Sequence, residues 1–201
     1  YVPGEQPKLP NLVKLNTNEN PYPPSPRVVA AIGLAAQHGL QLYPDPDATP
    51  LRQAIARQHG LAEANVFLGN GSDEVLAHAF FAFFQQNHPL LMPDVSYSFY
   101  QVYCRLYGIA AQTVPLDDDL RLNLADYARS GNESVAGVVI ANPNAPTGIG
   151  LPLADIEQLL QMHPQRVVLV DEAYVDFGGQ SAVALITRYP NLLVELGRAH
   201  V

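Results

Sequence analysis

The sequence predicts an α/β fold, a mostly parallel sheet flanked by helices, and three observations predict it. From Thr49 onward, helical and strand-like segments alternate. The strand-like runs, "VVLV" at 167–170 above all, are apolar throughout, the pattern of strands buried on both faces of a parallel sheet. A length of 201 residues with 48% hydrophobic content supplies one substantial core.

The segments follow in order. "YVPGEQPKLPNLVKLNTNENPYPPSP" is crowded with prolines, which remove backbone donors and restrict the preceding residue. Residues 1–33 therefore read as an extended arm, with Leu12, Val13 and Leu15 to pack on something else, and 34–201 as the layered domain. "TPLRQAIARQHG" predicts a helix with Thr49 as N-cap, Pro50 at its first position and Gly60 as its stop. "NVFLG" reads as a short strand, and "NGSDEVLAHAFFAFFQQ" as a helix. "PLLMP" is a brief strand, and "SYSFYQVYCRLYG" a helix ending at Gly108. "IAAQTVPL", "VAGVVIA", "RVVLVD" and "NLLVEL" read as further strands, with helical patterns at "NLADYARSG" and "LPLADIEQLLQMH".

Charge and cysteine content narrow the function classes. A net charge of −8 without any cluster of Lys or Arg argues against a nucleic-acid or anionic-membrane surface. Cys104 is the only cysteine, so no internal disulfide forms, and no Cys/His spacing suggests a metal site. A reducing cytoplasm fits. The opening residues show no targeting signal, and "VLAHAFFAFF" is too short to span a bilayer.

Open parallel sheets bind ligands at the carboxyl ends of their strands, which groups four motifs into one expected site. In "GNGSDE" (69–74), Gly71 allows close backbone approach while Ser72 and Asp73 open a helix whose free N–H groups suit a phosphate; a helix capped by Ser72 accounts for the same residues. "ANPNAPTG" (141–148) is a rigid loop presenting Asn142, Asn144 and Thr147, although turn chemistry alone explains its prolines. In "VVLVDEAYVDF" (167–177) a buried strand ends on Asp171, a carboxylate that requires a cationic partner, an arginine or a helix to cap. Tyr97 and Tyr100 in "DVSYSFY" (94–100) offer either a flat surface to a ring ligand or ordinary core packing.

The succession "NENP", "YPDP", "GNGSDE", "PDVSYSFY", "NPNAPTG" and "VDEAYVDF" resembles the fold-type-I pyridoxal-phosphate aminotransferases. The "YVPGEQP" opening and "LNTNENPYPPSP" point to the histidinol-phosphate subgroup; other amino-acid aminotransferases and threonine-phosphate decarboxylases share most of these words. The resemblance implies that residues 34–201 form an incomplete pyridoxal-phosphate-binding large domain, without the small C-terminal domain. It implies that Asp171 pairs with the protonated pyridine nitrogen, Tyr174 and Asn144 contact the ring oxygen, and Tyr97 stacks on the ring. It gives the phosphate to Gly71, Ser72 and Asp73 and, from the partner subunit of a homodimer, to Tyr43. Tyr1 and Asn20 border the substrate, and the expected reaction exchanges an amino group between histidinol phosphate and 2-oxoglutarate.

Two positions depart from the family pattern. The asparagine that normally precedes "PTG" is Ala145 here, leaving Asn144 one residue earlier. After "YPNLLV" the chain reads "ELGRAHV" where the family carries its Schiff-base lysine, and the sequence's only lysines are Lys8 and Lys14 in the arm. No catalytic lysine is therefore assigned, and the chain as written is expected to be inactive in transamination. A fragment, a shifted reading frame near Val194, or a non-catalytic α/β module that binds a phosphorylated ligand or serves dimerisation would each account for it.

Overall fold

The computed structural model describes residues 5–16, 18–128 and 135–197. The chain divides into two compact units between Asp47 and Ala48.

In the first unit the described residues before Ser25 form neither helix nor strand, and helix α1 spans Pro26–Gln37. The expectation of an extended arm to residue 33 is thus corrected from Pro26 onward. Ser25 accepts the amide of Val28 through its hydroxyl at 3.4 Å, and Pro26 at the helix start has a φ already suited to helix. Leu12, Val13 and Leu15 are exposed within the chain. Lys14 pairs with Glu19 at 2.7 Å and donates to Gln6 at 2.9 Å.

The second unit carries the sheet. Helix α2 spans Thr49–His59, with Ala48 rather than Thr49 at the N-cap and Gly60 closing it in the left-handed region at φ 66°. "NVFLG" is not a strand. The Val66 amide instead closes a 3-10 turn on the Glu63 carbonyl at 3.1 Å, and among the described residues no strand pairs with the residues that follow. Helix α3 spans Ser72–Ala79 and then widens into a π-helical turn, Phe80–Phe84, so the single predicted helix is two pieces. The wider turn sends both Phe80 and Phe84 into the core, with ring centroids 5.4 Å apart.

Strand β1 (Leu90–Pro93), helix α4 (Phe99–Tyr107) and strand β2 (Ala111–Val114) follow. Then come α5 (Leu124–Ala128), β3 (Gly137–Ala141), α6 (Leu153–Met162), β4 (Val167–Asp171) and β5 (Leu192–Glu195). The predicted end of α5 at 129–131 lies outside the described residues. All four strand pairings are parallel, in the order β2-β1-β3-β4-β5. Alternate residues divide between two cores, as a period of two requires. Val138, Ile140, Val168 and Val170 pack with Ile156, Leu159 and Leu160 of α6. Met92, Val139 and Leu169 pack on the other face with Leu76, Phe80, Phe84 and Tyr100. Among the described residues no helix is long and apolar enough to cross a membrane.

The strand order reverses beside β1, since β2 lies on one side of it and β3 on the other. At such a switch point the loops leaving neighbouring strands diverge and open a crevice at the strands' carboxyl ends. The loops after β1 and β3 carry Tyr97 and Asn144, and β4 ends next door on Asp171.

Gly137, the first residue of β3, has no room for a side chain. A Cβ there would lie 2.5 Å from the Phe84 ring and 2.6 Å from the Val167 carbonyl oxygen, and a backbone atom in a sheet does not move aside cheaply. Gly137→Ala is expected to lower unfolding stability by about 1–3 kcal/mol in a urea titration. Gly33→Ala in α1, where nothing lies within 4 Å, should raise it by roughly 0.5–1 kcal/mol.

Candidate active site

Asp171 ends β4 in register between Ala141 of β3 and Glu195 of β5, and only 6% of it is exposed. Its Oδ2 accepts the Tyr100 hydroxyl at 2.7 Å, and its Oδ1 accepts the amide of Ala173 at 3.1 Å. Burial raises the Asp171 pKa, and the Tyr100 hydrogen bond is the largest effect opposing the rise. Burial and the neighbouring Asp171 charge in turn hold the Tyr100 hydroxyl protonated far above its usual range.

Glu172, adjacent in sequence, points elsewhere. It accepts the Ser181 hydroxyl at 2.6 Å and the Ala182 amide at 2.5 Å, fixing the start of the 3-10 turn Ala182–Leu185. Tyr174 lies half-buried beyond the strand, its ring 6.3 Å from that of Phe177.

The start of α3 is tied to the same neighbourhood through tyrosines. Gly71 is the N-cap at φ 81°, a conformation glycine adopts without strain, and a Cβ there would meet nothing within 4 Å. The amides of Ser72, Asp73 and Glu74 precede the helix's first backbone bond, which Val75 donates to Gly71 at 3.3 Å. Asn70 donates its amide back to the Glu74 carboxylate. Tyr103 donates to the Asp73 carbonyl at 2.9 Å, and the Tyr97 hydroxyl reaches the Asp73 carboxylate at 3.4 Å. The Tyr97 ring meets that of Tyr100 edge-on at 5.4 Å. Asp171, Tyr100, Tyr97, Asp73 and the Ser72 turn are therefore neighbours around one crevice.

The loop after β3 is held by its own amides. Asn142 is fully buried and accepts the Leu151 amide at 2.7 Å, while its backbone amide donates to the Asp171 carbonyl at 2.7 Å. Asn144 accepts the Ser96 hydroxyl at 2.8 Å and donates to the Val95 carbonyl at 2.9 Å, joining this loop to the one after β1. Its remaining donor faces the Thr147 hydroxyl at 3.3 Å.

In the first unit Tyr43 is fully exposed, and Asn20 accepts the Tyr22 amide at 3.0 Å in a local turn. Tyr1 lies outside the described residues.

The model of the family described as aminotransferase class I and II matches residues 10–197. The chain belongs to that family. Among curated aminotransferases, the histidinol-phosphate aminotransferase of Acetobacter pasteurianus is 62% identical over 194 residues, covering 96% of this chain and 53% of its own length. A second, histidinol-phosphate aminotransferase 1 of Methylococcus capsulatus, is likewise 62% identical, with the same coverage. The solved histidinol-phosphate aminotransferase of Sinorhizobium meliloti, in complex with pyridoxal-5'-phosphate, superposes with a TM-score of 0.79 at 29% identity, over 89% of this chain and 49% of that one. The chain spans about half the length of the curated aminotransferases it matches. The fold-type-I identification and the α/β architecture agree with these likenesses.

Two roles in this aminotransferase-family crevice are not visible in the sequence, the Tyr100 hydroxyl and Glu195. The sequence offers the Tyr100 ring, whereas its hydroxyl is what meets Asp171; the spacing of three from Tyr97 into a helix is the available signal. Glu195 was read only as part of a strand, because its pairing with Asp171 appears only when strand register is known. Chemically, the crevice offers a buried carboxylate to a cation and the start of a helix to an anion.

Proposed function

We propose that this chain is the arm and much of the large domain of a pyridoxal-phosphate-dependent aminotransferase. The amino donor is histidinol phosphate, the acceptor 2-oxoglutarate, and the assembly a homodimer in the cytoplasm. The observation that carries the reading is the pairing of Asp171 with the α3 start through Tyr100, Tyr97 and Asp73. A buried carboxylate and a helix N-terminus beside it match the two ends of the cofactor, a ring nitrogen that carries a proton and a phosphate.

The residues fit the group on structural grounds. Asp171 is buried with hydroxyl and amide donors on its oxygens, an arrangement that favours the ionised form a protonated ring nitrogen needs. The open space at the Gly71 Cβ position lets a phosphate approach the backbone. Asp171 would hold the pyridine nitrogen, Tyr97 would lie against the ring, and Gly71, Ser72 and Asp73 would hold the phosphate. Tyr174 would meet the ring oxygen. Asn144 would donate to it there by releasing its amide from the Val95 carbonyl or the Thr147 hydroxyl. Tyr43 would reach the partner subunit's phosphate, and Tyr1 and Asn20 the substrate. When bound, pyridoxal phosphate supplies the electron sink for a carbanion at the substrate's α-carbon. Lys8 and Lys14, the chain's only lysines, are not assigned the proton-transfer role.

Equilibrium dialysis with pyridoxal phosphate tests the reading. Saturable binding is expected, weakened by inorganic phosphate, and borohydride treatment should leave the second unit unmodified, since it contains no lysine. Absence of saturable binding would overturn the assignment.

A further inference from the structure

Glu195 occupies a place in the crevice to which cofactor binding assigns no role. Strand register sets it directly beside Asp171 at the sheet's carboxyl edge, and only 5% of it is exposed. Its Oε1 accepts the Gly197 amide at 2.7 Å. Its Oε2 is buried, and as an ionised oxygen it has no donor to accept from.

Two carboxylates side by side in a dry site cannot both keep their charge at neutral pH, because each destabilises the other's ionised form. The carboxylate of Asp73 at the α3 start adds negative potential to both, and Tyr100 and Tyr97 bring hydroxyls without positive charge. Glu172, also next to Asp171, faces away to Ser181 and Ala182. The hydrogen bonds decide which member keeps the proton. Asp171 receives donors on both oxygens, which favours its ionised form, whereas Glu195 receives one donor and leaves Oε2 for a proton.

We propose that Glu195 is a positioning residue: it carries the pair's single proton on Oε2, donates it as a hydrogen bond to Asp171, and so keeps Asp171 the one ionised carboxylate facing a protonated ring ligand. This rests on the reading of the crevice as a site for such a ring. Burial, then the charge of Asp171, pushes the Glu195 carboxyl up to about 8. The folded chain thus holds a proton that the unfolded chain releases near its ordinary value of 4.5. The stability associated with Glu195 is present in full below pH about 4.5 and is lost as pH rises to about 8.

The test uses the full chain and Glu195→Gln. Infrared spectra at pH 6.5 should show a protonated-carboxyl band in the wild type that Glu195→Gln lacks, and the band should vanish as pH passes about 8. A wild type minus Glu195→Gln difference containing only a carboxylate band would overturn the proposal. The wild-type melting temperature should fall between pH 5 and 8 by about 5 °C more than that of Glu195→Gln; parallel curves would also overturn it. Pyridoxal phosphate affinity at pH 7 should stay within about threefold in Glu195→Gln, which keeps a donor, and drop about tenfold in Glu195→Ala. Equal losses in the two variants would reject the positioning role. Should Glu195→Gln not fold, the pH titration of the wild-type band decides. A Glu195 band without any cofactor binding would uphold the proton assignment and remove the cofactor reading alone.

Discussion

Asp171→Asn is expected to weaken pyridoxal phosphate binding about a hundredfold while leaving the chain folded. The substitution keeps the shape of the side chain, removes the charge and turns one acceptor oxygen into a donor, so either Tyr100 or Ala173 loses its acceptor. A charge-assisted hydrogen bond in a desolvated site is worth about 1.5–3 kcal/mol, and breaking a buried charged pair costs about 2–5 kcal/mol, so a hundredfold loss lies inside the range. Stability should change little, because relief of the buried charge offsets the acceptor lost to Tyr100 or Ala173. Dialysis measures the first effect and thermal melting the second. Undiminished affinity would remove Asp171 from the ring nitrogen; reduced affinity with a collapsed melting transition would make the loss structural.

Phe80→Ala is expected to cost about 3–5 kcal/mol in unfolding stability, the largest structural effect of any single truncation considered for this chain. Phe80 is fully buried in the π-helical turn, with its ring centroid 5.0 Å from Tyr103, 5.4 Å from Phe84 and 6.0 Å from Tyr100. It is the floor on which the two tyrosines of the crevice rest. Its loss should therefore loosen the Tyr100 contact to Asp171 and weaken cofactor binding as well. Phe81, the next residue, is 57% exposed, and Phe81→Ala should cost about 1 kcal/mol or less. Urea titrations of both variants separate burial from composition. Equal costs at the two positions would contradict the assigned burial.

The parts of the fold that could be read in sequence were those whose signal is local. "VVLV" and "GVVI" announce buried strands because every residue is apolar, and Gly60 and Gly108 end their helices through a backbone conformation available to glycine. "NVFLG" misleads because β-prone residues make a strand only beside a partner strand, and partnership is not local. Helix α1 is masked in sequence by the prolines that precede it, although Ser25 and Pro26 form an ordinary start signal.

The site shows the same division. Asp171 could be singled out because a carboxylate at the end of an apolar strand demands an explanation. Glu172 beside it has a different task, since successive side chains of an extended chain leave on opposite sides. Tyr100 and Glu195 became visible only with a helix packed on the sheet and a strand in register, both long-range facts. The bonds of Asn144 to Ser96 and Val95 belong to this class too, for they join residues about fifty positions apart.

That last tie spans the place where the sheet's growth reverses direction. Two loops that leave adjacent strands are thereby held at one separation by the chain itself. Their ordering is met at folding, so a guest that touches either loop immobilises less backbone on arrival.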